Sequence, residues 1–324
     1  MALLSLVLVI LIAVVNTSRS TRRIQARWPQ KGRLIQTQGV VAHVIEGGPA
    51  CKQHQGAPVL LLHGAASNAR ELVAALDGRL DGLTFIAPDR PGLGYSGMPK
   101  NSHQLGVQAA FIADILRQTA TEPVVAVGHS WGSGVILRLA LDFPETVKAL
   151  VLIAPASHPW QQKPNIINKL ANFPVLGDLL VWTLPALVGP YLMPTGIARG
   201  FAPGAVEPAD YANIIGTPLF FRPTSFKANA ADMEAGSREM GLQAPRYPSL
   251  KLPVTVISGQ GDVIVYNAIH AAGLARDIPH ASCFRVTGAG HMPHWVDPNL
   301  VENVIRAYVH DQPFPESLAQ FRAG

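Results

Sequence analysis

Three residues of this sequence have the types and the spacing for nucleophilic chemistry: Ser130, Asp262 and His291. Ser130 is the centre of Gly128-His129-Ser130-Trp131-Gly132, a G-x-S-x-G pentapeptide that follows the apolar run PVVAVGHS and precedes a helix-forming stretch. A serine oxygen lifted above a sheet needs a sharp strand-to-helix turn, and flanking glycines keep that turn free of clashes. A serine hydroxyl is a poor nucleophile at neutral pH, so it also needs a base within reach and a third group that fixes the base's tautomer. Of eleven histidines, His291 and His294 sit in GAGHMPH just after the last strand-like run. The Gly-Ala-Gly before His291 favours it as the base, and His294, next to Trp295 and a helix start, is the alternative. The acid is expected at the end of PVTVISGQGD, at Asp262, because the end of VLIAP carries no carboxylate. A plain turn residue is the competing role for Asp262.

Acyl hydrolysis passes through an oxyanion that needs two preorganised donors. The backbone N–H of Trp131, at a helix start, is one candidate. The N–H of Ala65 is the other, with Ala66 as the alternative; His63 would hold this HGAAS loop in shape and Gly64 would let it approach. The Trp131 side chain is expected in the substrate pocket.

These residues need a scaffold, and the hydrophobic pattern supplies one. RLIQTQG and VVAHVIE predict a hairpin around Gly39, and Gly47 to Gly56 a loop. PVLLLHG, LTFIAPD, PVVAVGHS, VKALVLIAP, PVTVISG and SCFRVTG read as strands, the most apolar of them buried on both faces. They alternate with predicted helices over Ala69–Leu76, His103–Gln118, Trp131–Asp142, Ala268–Arg276 and Asn299–His310, so the fold class is α/β with a mostly parallel, doubly wound sheet. From Ala156 to Pro248 prolines divide short apolar helices such as IINKLANF and LLVWTLPALV, which predicts a helical lid inserted into the sheet domain. The expected division is 1–18 as an N-terminal segment, 28–155 and 249–312 as the core, and 156–248 as the lid.

At 324 residues, 48% hydrophobic and only 15% charged, the chain is no disordered protein. Ala2 to Val15 is uncharged and is followed by Arg19, Arg22, Arg23 and Arg27. Charge after the apolar run, with no small-residue cleavage site, favours an uncleaved membrane anchor, marginal as a transmembrane helix, over a signal peptide. The flanking arginines would keep the catalytic body cytoplasmic; secretion after cleavage is the alternative. The net charge of +5 gathers near these arginines, which suits an anionic membrane better than nucleic acid. Cys51 and Cys283 form no disulfide framework. No metal-ligand cluster or phosphate loop is visible, so neither metal nor organic cofactor is expected.

HGAAS, PDRPGLGYS, GHSWGS, GQGD and GAGHMPH, in this order, resemble the α/β-hydrolase superfamily from about Arg33 to His310. The resemblance implies the α/β-hydrolase fold, a Ser130-Asp262-His291 triad and a lid over the serine. Asp89 and Arg90 would then brace the site, and Phe173, Trp182 and Leu187 would line an apolar pocket. Serine in place of an aspartate nucleophile argues against haloalkane dehalogenases and epoxide hydrolases. HGAAS differs from the HGGPG of proline iminopeptidases and the HGGG of the hormone-sensitive-lipase branch. The expected reaction is hydrolysis of an apolar carboxylic ester by an esterase-like or lipase-like enzyme. The rivals are carbon–carbon bond hydrolysis of a ring-cleavage diketone and a non-catalytic binding protein on the same fold.

Overall fold

The computed structural model describes residues 2–49, 56–161 and 165–321. The expected hairpin is β1 (Arg33–Thr37) and β2 (Val40–Gly47), turned at Gln38 and Gly39, both with positive φ. Then come β3 (Val59–Leu62), β4 (Phe85–Pro88), β5 (Val124–His129), β6 (Val147–Ile153), β7 (Val254–Gly259) and β8 (Ser282–Val286). They form one eight-stranded sheet in the order β1-β2-β4-β3-β5-β6-β7-β8. The pairs β1–β2 and β2–β4 are antiparallel, and every other pair is parallel.

The helices, in chain order, are α1 (Ala2–Arg27), α2 (Arg70–Ala75), α3 (Leu105–Thr119), α4 (Trp131–Asp142), α5 (Ile166–Ala171), α6 (Leu176–Val181), α7 (Leu184–Phe201), α8 (Tyr211–Ile214), α9 (Pro223–Gln243), α10 (Ala271–Asp277), α11 (Pro293–Val296) and α12 (Pro298–Val309). Side chains alternate across the central strands and split the core in two. Leu60, Leu62, Leu150 and Val256 pack with α3, α4 and α10 on one face. Leu61, Val127, Ile153 and Ile257 pack with α2 and α12 on the other. Strands covered on both sides have no solvent face to mark with polar residues, which is why β3, β5 and β7 are buried along their whole length.

Helices α5 to α9 all lie between β6 and β7. LLVWTLPALV, expected as one helix, breaks at Trp182–Thr183 into α6 and α7. The 21-residue α9 was not anticipated: its buried side includes Asn229, Asp232, Glu239 and Gln243, so it carries little hydrophobic periodicity.

The N-terminal segment is one continuous helix through the arginine cluster. Its partly buried stripe, Ile10, Val14, Thr17, Thr21 and Ile24, repeats at helical spacing and packs on α7 and the 3₁₀ turn Thr217–Phe221, that is, on the inserted helices. Just beyond its end, the Trp28 indole N–H donates to the Asn213 carbonyl at 2.7 Å. Among the described residues no helix is long and apolar enough to cross a membrane. This corrects the transmembrane expectation. The uncharged run of 14 residues from Ala2 to Val15 reaches ~21 Å as a helix, short of a hydrocarbon core of ~30 Å. Cys51 lies outside the described residues; Cys283 is a free thiol on β8.

Candidate active site

The turn from β5 into α4 puts Ser130 at φ 52° and ψ −116°, a conformation that side-chain-bearing residues rarely adopt. Two glycines make the turn feasible. A Cβ on Gly132 would come within 2.2 Å of the Leu62 carbonyl oxygen, and one on Gly128 within 2.7 Å of Gly132 and Ser133 backbone atoms. Ser130 therefore sits where β5 meets α4, next to the end of β3.

His291 and Asp262 come from the ends of β8 and β7 and meet at 2.8 Å between Nδ1 and Oδ2. The carboxylate is fixed from its other side: Oδ1 accepts the backbone N–H of Ile264 at 2.8 Å and of Val265 at 2.9 Å. Held in this way, Asp262 keeps the His291 proton on Nδ1 and leaves Nε2 as the acceptor face. The His291 backbone is anchored as well, its N–H donating to Gly200 of α7 at 2.9 Å. Ser130, Asp262 and His291 are all buried.

Ser130 and His291 both open into a cavity of about 560 Å³, whose wall includes Ala65, Trp131, Leu184, Val188 and Leu192. The wall corrects part of the sequence reading. Trp131 lines the cavity as expected, but Phe173, Trp182 and Leu187 do not; all three are exposed on the outer side of the inserted helices. The lining is supplied instead by one face of α7, at Leu184, Val188 and Leu192.

The loop after β3 is held by residues that sequence reasoning assigned only a bracing part or did not find. The Ala66 N–H donates to Asn229 of α9 at 2.7 Å, so the N–H of Ala66 is already committed. The Arg90 guanidinium, fully buried, donates to the His63 and Gly64 carbonyls, each at 3.1 Å, and pairs with Asp232 at 2.7 Å. Asp89 accepts from the Ala69 N–H at 2.7 Å, from the Tyr95 N–H at 2.8 Å and from His43 at 2.6 Å, and so has no free face for chemistry. His63 accepts the Arg90 N–H on Nε2 at 3.0 Å; burial, then the Arg90 charge, lowers its pKa to about 4.

Behind His291 lies a buried cluster that the sequence did not announce. Glu71 Oε1 accepts from His294 Nε2 at 2.6 Å and from Trp295 Nε1 at 2.8 Å. The His129 ring lies against those of His291 and His294 in tilted contacts, centroids 4.9 and 4.5 Å away, and its Nε2 donates to the His291 carbonyl at 3.0 Å. Burial raises the Glu71 pKa, but His294, His129 and Trp295 outweigh it and bring it down to about 2. Burial, then His294, holds His129 neutral by pushing its pKa well below the ordinary value. Glu71, His129 and His294 are also, among the described residues, the one group of three that could hold a metal ion, with ligand atoms within 4.8 Å of one another. The direct Glu71–His294 hydrogen bond ties this cluster behind the His291 loop.

An eight-stranded, mostly parallel sheet, the elbow at Ser130 and a helical insertion after β6 define the α/β-hydrolase fold, and a family model for that fold matches residues 57–179. The chain has the α/β-hydrolase fold, and its residues 57–179 are similar to that family. A thermophilic esterase from Thermogutta terrifontis superposes with a TM-score of 0.68 at 21% identity, over 86% of this chain and 99% of that one. A membrane phospholipase A described as a bacterial virulence factor gives 0.66 at 19% identity, over 96% of each chain. The magnesium-chelatase 30 kDa subunit of Rhodobacter capsulatus is 27% identical over 302 residues, 88% of this chain and 97% of that protein.

Proposed function

We propose that this chain is a serine hydrolase that cleaves carboxylic esters of apolar, lipid-like acids through an acyl-enzyme on Ser130. The observation that carries the reading is the convergence, on one cavity of about 560 Å³, of a serine in a strained turn and a histidine gripped at 2.8 Å by a buried carboxylate. Ser130 Oγ attacks the ester carbonyl carbon while His291 Nε2 takes its proton. Asp262 stabilises the imidazolium that forms, and the alcohol leaves with that proton. Water then repeats the sequence on the acyl-enzyme. The oxyanion is received by the N–H of Trp131, at the start of α4, and of Ala65, the Ala66 N–H being occupied by Asn229 at 2.7 Å. The apolar wall at Leu184, Val188 and Leu192 supports an apolar acyl group. The exposed apolar run and arginines of α1 support residence at a membrane surface, in keeping with the membrane phospholipase among the structural neighbours. Residues 156–248 act in this reading as a lid.

Fluorophosphonate labelling of wild type and Ser130→Ala tests the assignment. Labelling and ester turnover are expected in the wild type and in neither case in the variant, at unchanged folding, and a label on another serine overturns it. Across p-nitrophenyl esters of rising length, three added methylenes should raise kcat/KM roughly tens-fold until the cavity is full, at about 0.8 kcal/mol each.

A further inference from the structure

Helix α1 packs chiefly on α7 and on the 3₁₀ turn Thr217–Phe221, both in the insertion. Both of these packed helices carry exposed apolar side chains. On α1 these are Leu8, Leu11, Ile12 and Val15; on α7 they are Leu184, Leu187, Val188, Tyr191 and Leu192, with Tyr191 83% exposed. The α7 residues fall at i, i+3, i+4, i+7 and i+8, one continuous stripe. Leu184, Val188 and Leu192 of this stripe also line the cavity above Ser130. The stripe is therefore the rim of the cavity, exposed on one side and facing the serine on the other.

Charge identifies what covers it. The first 45 residues contain no Asp or Glu, and Arg19, Arg22 and Arg23, all exposed, follow the apolar run of α1 within about two helical turns of Val15. The one charged residue of α7 is Arg199. An apolar helix face bordered by arginines matches the acyl layer and anionic headgroups of a lipid surface.

We propose that α1 and the exposed stripe of α7 lie together on an anionic lipid surface, and that the ester substrate passes from the lipid between Leu184, Val188 and Leu192 into the cavity without crossing bulk water. The proposal rests on the serine-hydrolase reading for the reaction, but the docking of α7 stands without it. It goes beyond membrane residence: the insertion faces the lipid, and α7 is the route in.

Two measurements separate these claims, both on the full chain. In the first, a polarity-sensitive fluorophore is placed on Tyr191→Cys in a Cys51→Ser, Cys283→Ser background, with vesicles of phosphatidylcholine alone or mixed with phosphatidylglycerol. Its emission should shift to the blue with the mixed vesicles and change little with phosphatidylcholine alone. No shift with either overturns the docking, whatever the enzymatic activity. In the second, Leu187→Asp and Tyr191→Asp, at positions outside the cavity wall, are assayed on a long-chain ester carried in mixed vesicles and on soluble p-nitrophenyl butyrate. Turnover of the vesicle-borne ester should fall roughly tenfold or more, the order expected from one lost apolar burial. Turnover of the soluble ester should stay within about twofold, as for a surface substitution, with vesicle sedimentation through α1 retained. Equal losses on both substrates, or none on the vesicle-borne one, overturn the route. A wild-type dimer that Leu187→Asp converts to monomer assigns the face to a second copy of this chain and also overturns it. Absence of all ester turnover with a blue shift preserved sinks the hydrolase reading and leaves the docking.

Discussion

The elbow around Ser130 and the insertion above it are built on opposite rules. At the elbow, backbone geometry dictates residue type: the Gly132 position has a carbonyl oxygen 2.2 Å from where a Cβ would stand, and Ser130 holds φ 52°. In the insertion almost any apolar residue could occupy a given helix position, and α5, α6 and α7 keep many of theirs exposed. The contrast teaches that the elbow is written in backbone geometry that restricts residue type, whereas the insertion is written in apolar surfaces that accept many residues.

Substitutions can break or sharpen that contrast. The largest effect is expected from Asp262→Asn, which leaves the shape intact but reverses the His291 tautomer; kcat should fall by about 10⁴ at unchanged Tm. An equal fall in Asp89→Asn, at unchanged Tm, would move the acid to the loop after β4. His294→Ala should act on stability. It strips the buried Glu71 carboxylate of its hydrogen-bond partner at 2.6 Å, a loss of about 1–3 kcal/mol read from denaturant midpoints, while Ser130 still takes the fluorophosphonate label. A stable His294→Ala protein with no turnover would make His294 the base.

Acid should loosen both regions. His63 and His270 are lowered from 6.5 to about 4, His63 by burial and the Arg90 charge, His270 by burial and then His158. Each uses a ring nitrogen as acceptor, His63 from the Arg90 N–H at 3.0 Å and His270 from the Ser157 N–H at 3.1 Å. In the unfolded chain these rings take protons at a higher pH than in the folded one. Their contribution is therefore complete above pH 6.5 and is lost as pH falls towards 4, by about 3 kcal/mol each. Unfolding midpoints measured from pH 8 to 4 should fall across that window; a flat line would show that the rings are not buried acceptors. The smallest effect is expected from Phe173→Ala and Trp182→Ala, which should leave the acyl-length preference in place and kcat/KM within about twofold. A changed preference would return these two side chains to the pocket.

The legibility of the sequence follows the same divide. The strands, the hairpin at Gly39 and the residues brought together at Ser130, Asp262 and His291 could be read because each rests on a short run of chain. The inserted helices were legible as a class but not in orientation: an apolar side chain names no face, and Phe173 and Trp182 turned out to face outwards. The Leu184, Val188, Leu192 spacing was the available signal. Asn229 and Asp232 were missed because a helix whose buried side is polar has no hydrophobic rhythm. The Glu71, His129, His294 cluster was missed because its members lie far apart in the chain and meet only on folding.

The buried Arg90 carries a consequence for recombination. It joins the loop after β3, through the His63 and Gly64 carbonyls, to Asp232 on α9. The insertion is thus not one exchangeable cassette. Helices α5 to α7 could be grafted from a relative to change what is bound, but a graft that replaced α9 without a carboxylate at the Asp232 position would strand a guanidinium inside the protein. Chimaeras should accordingly fail or succeed according to which side of Pro223 the junction falls.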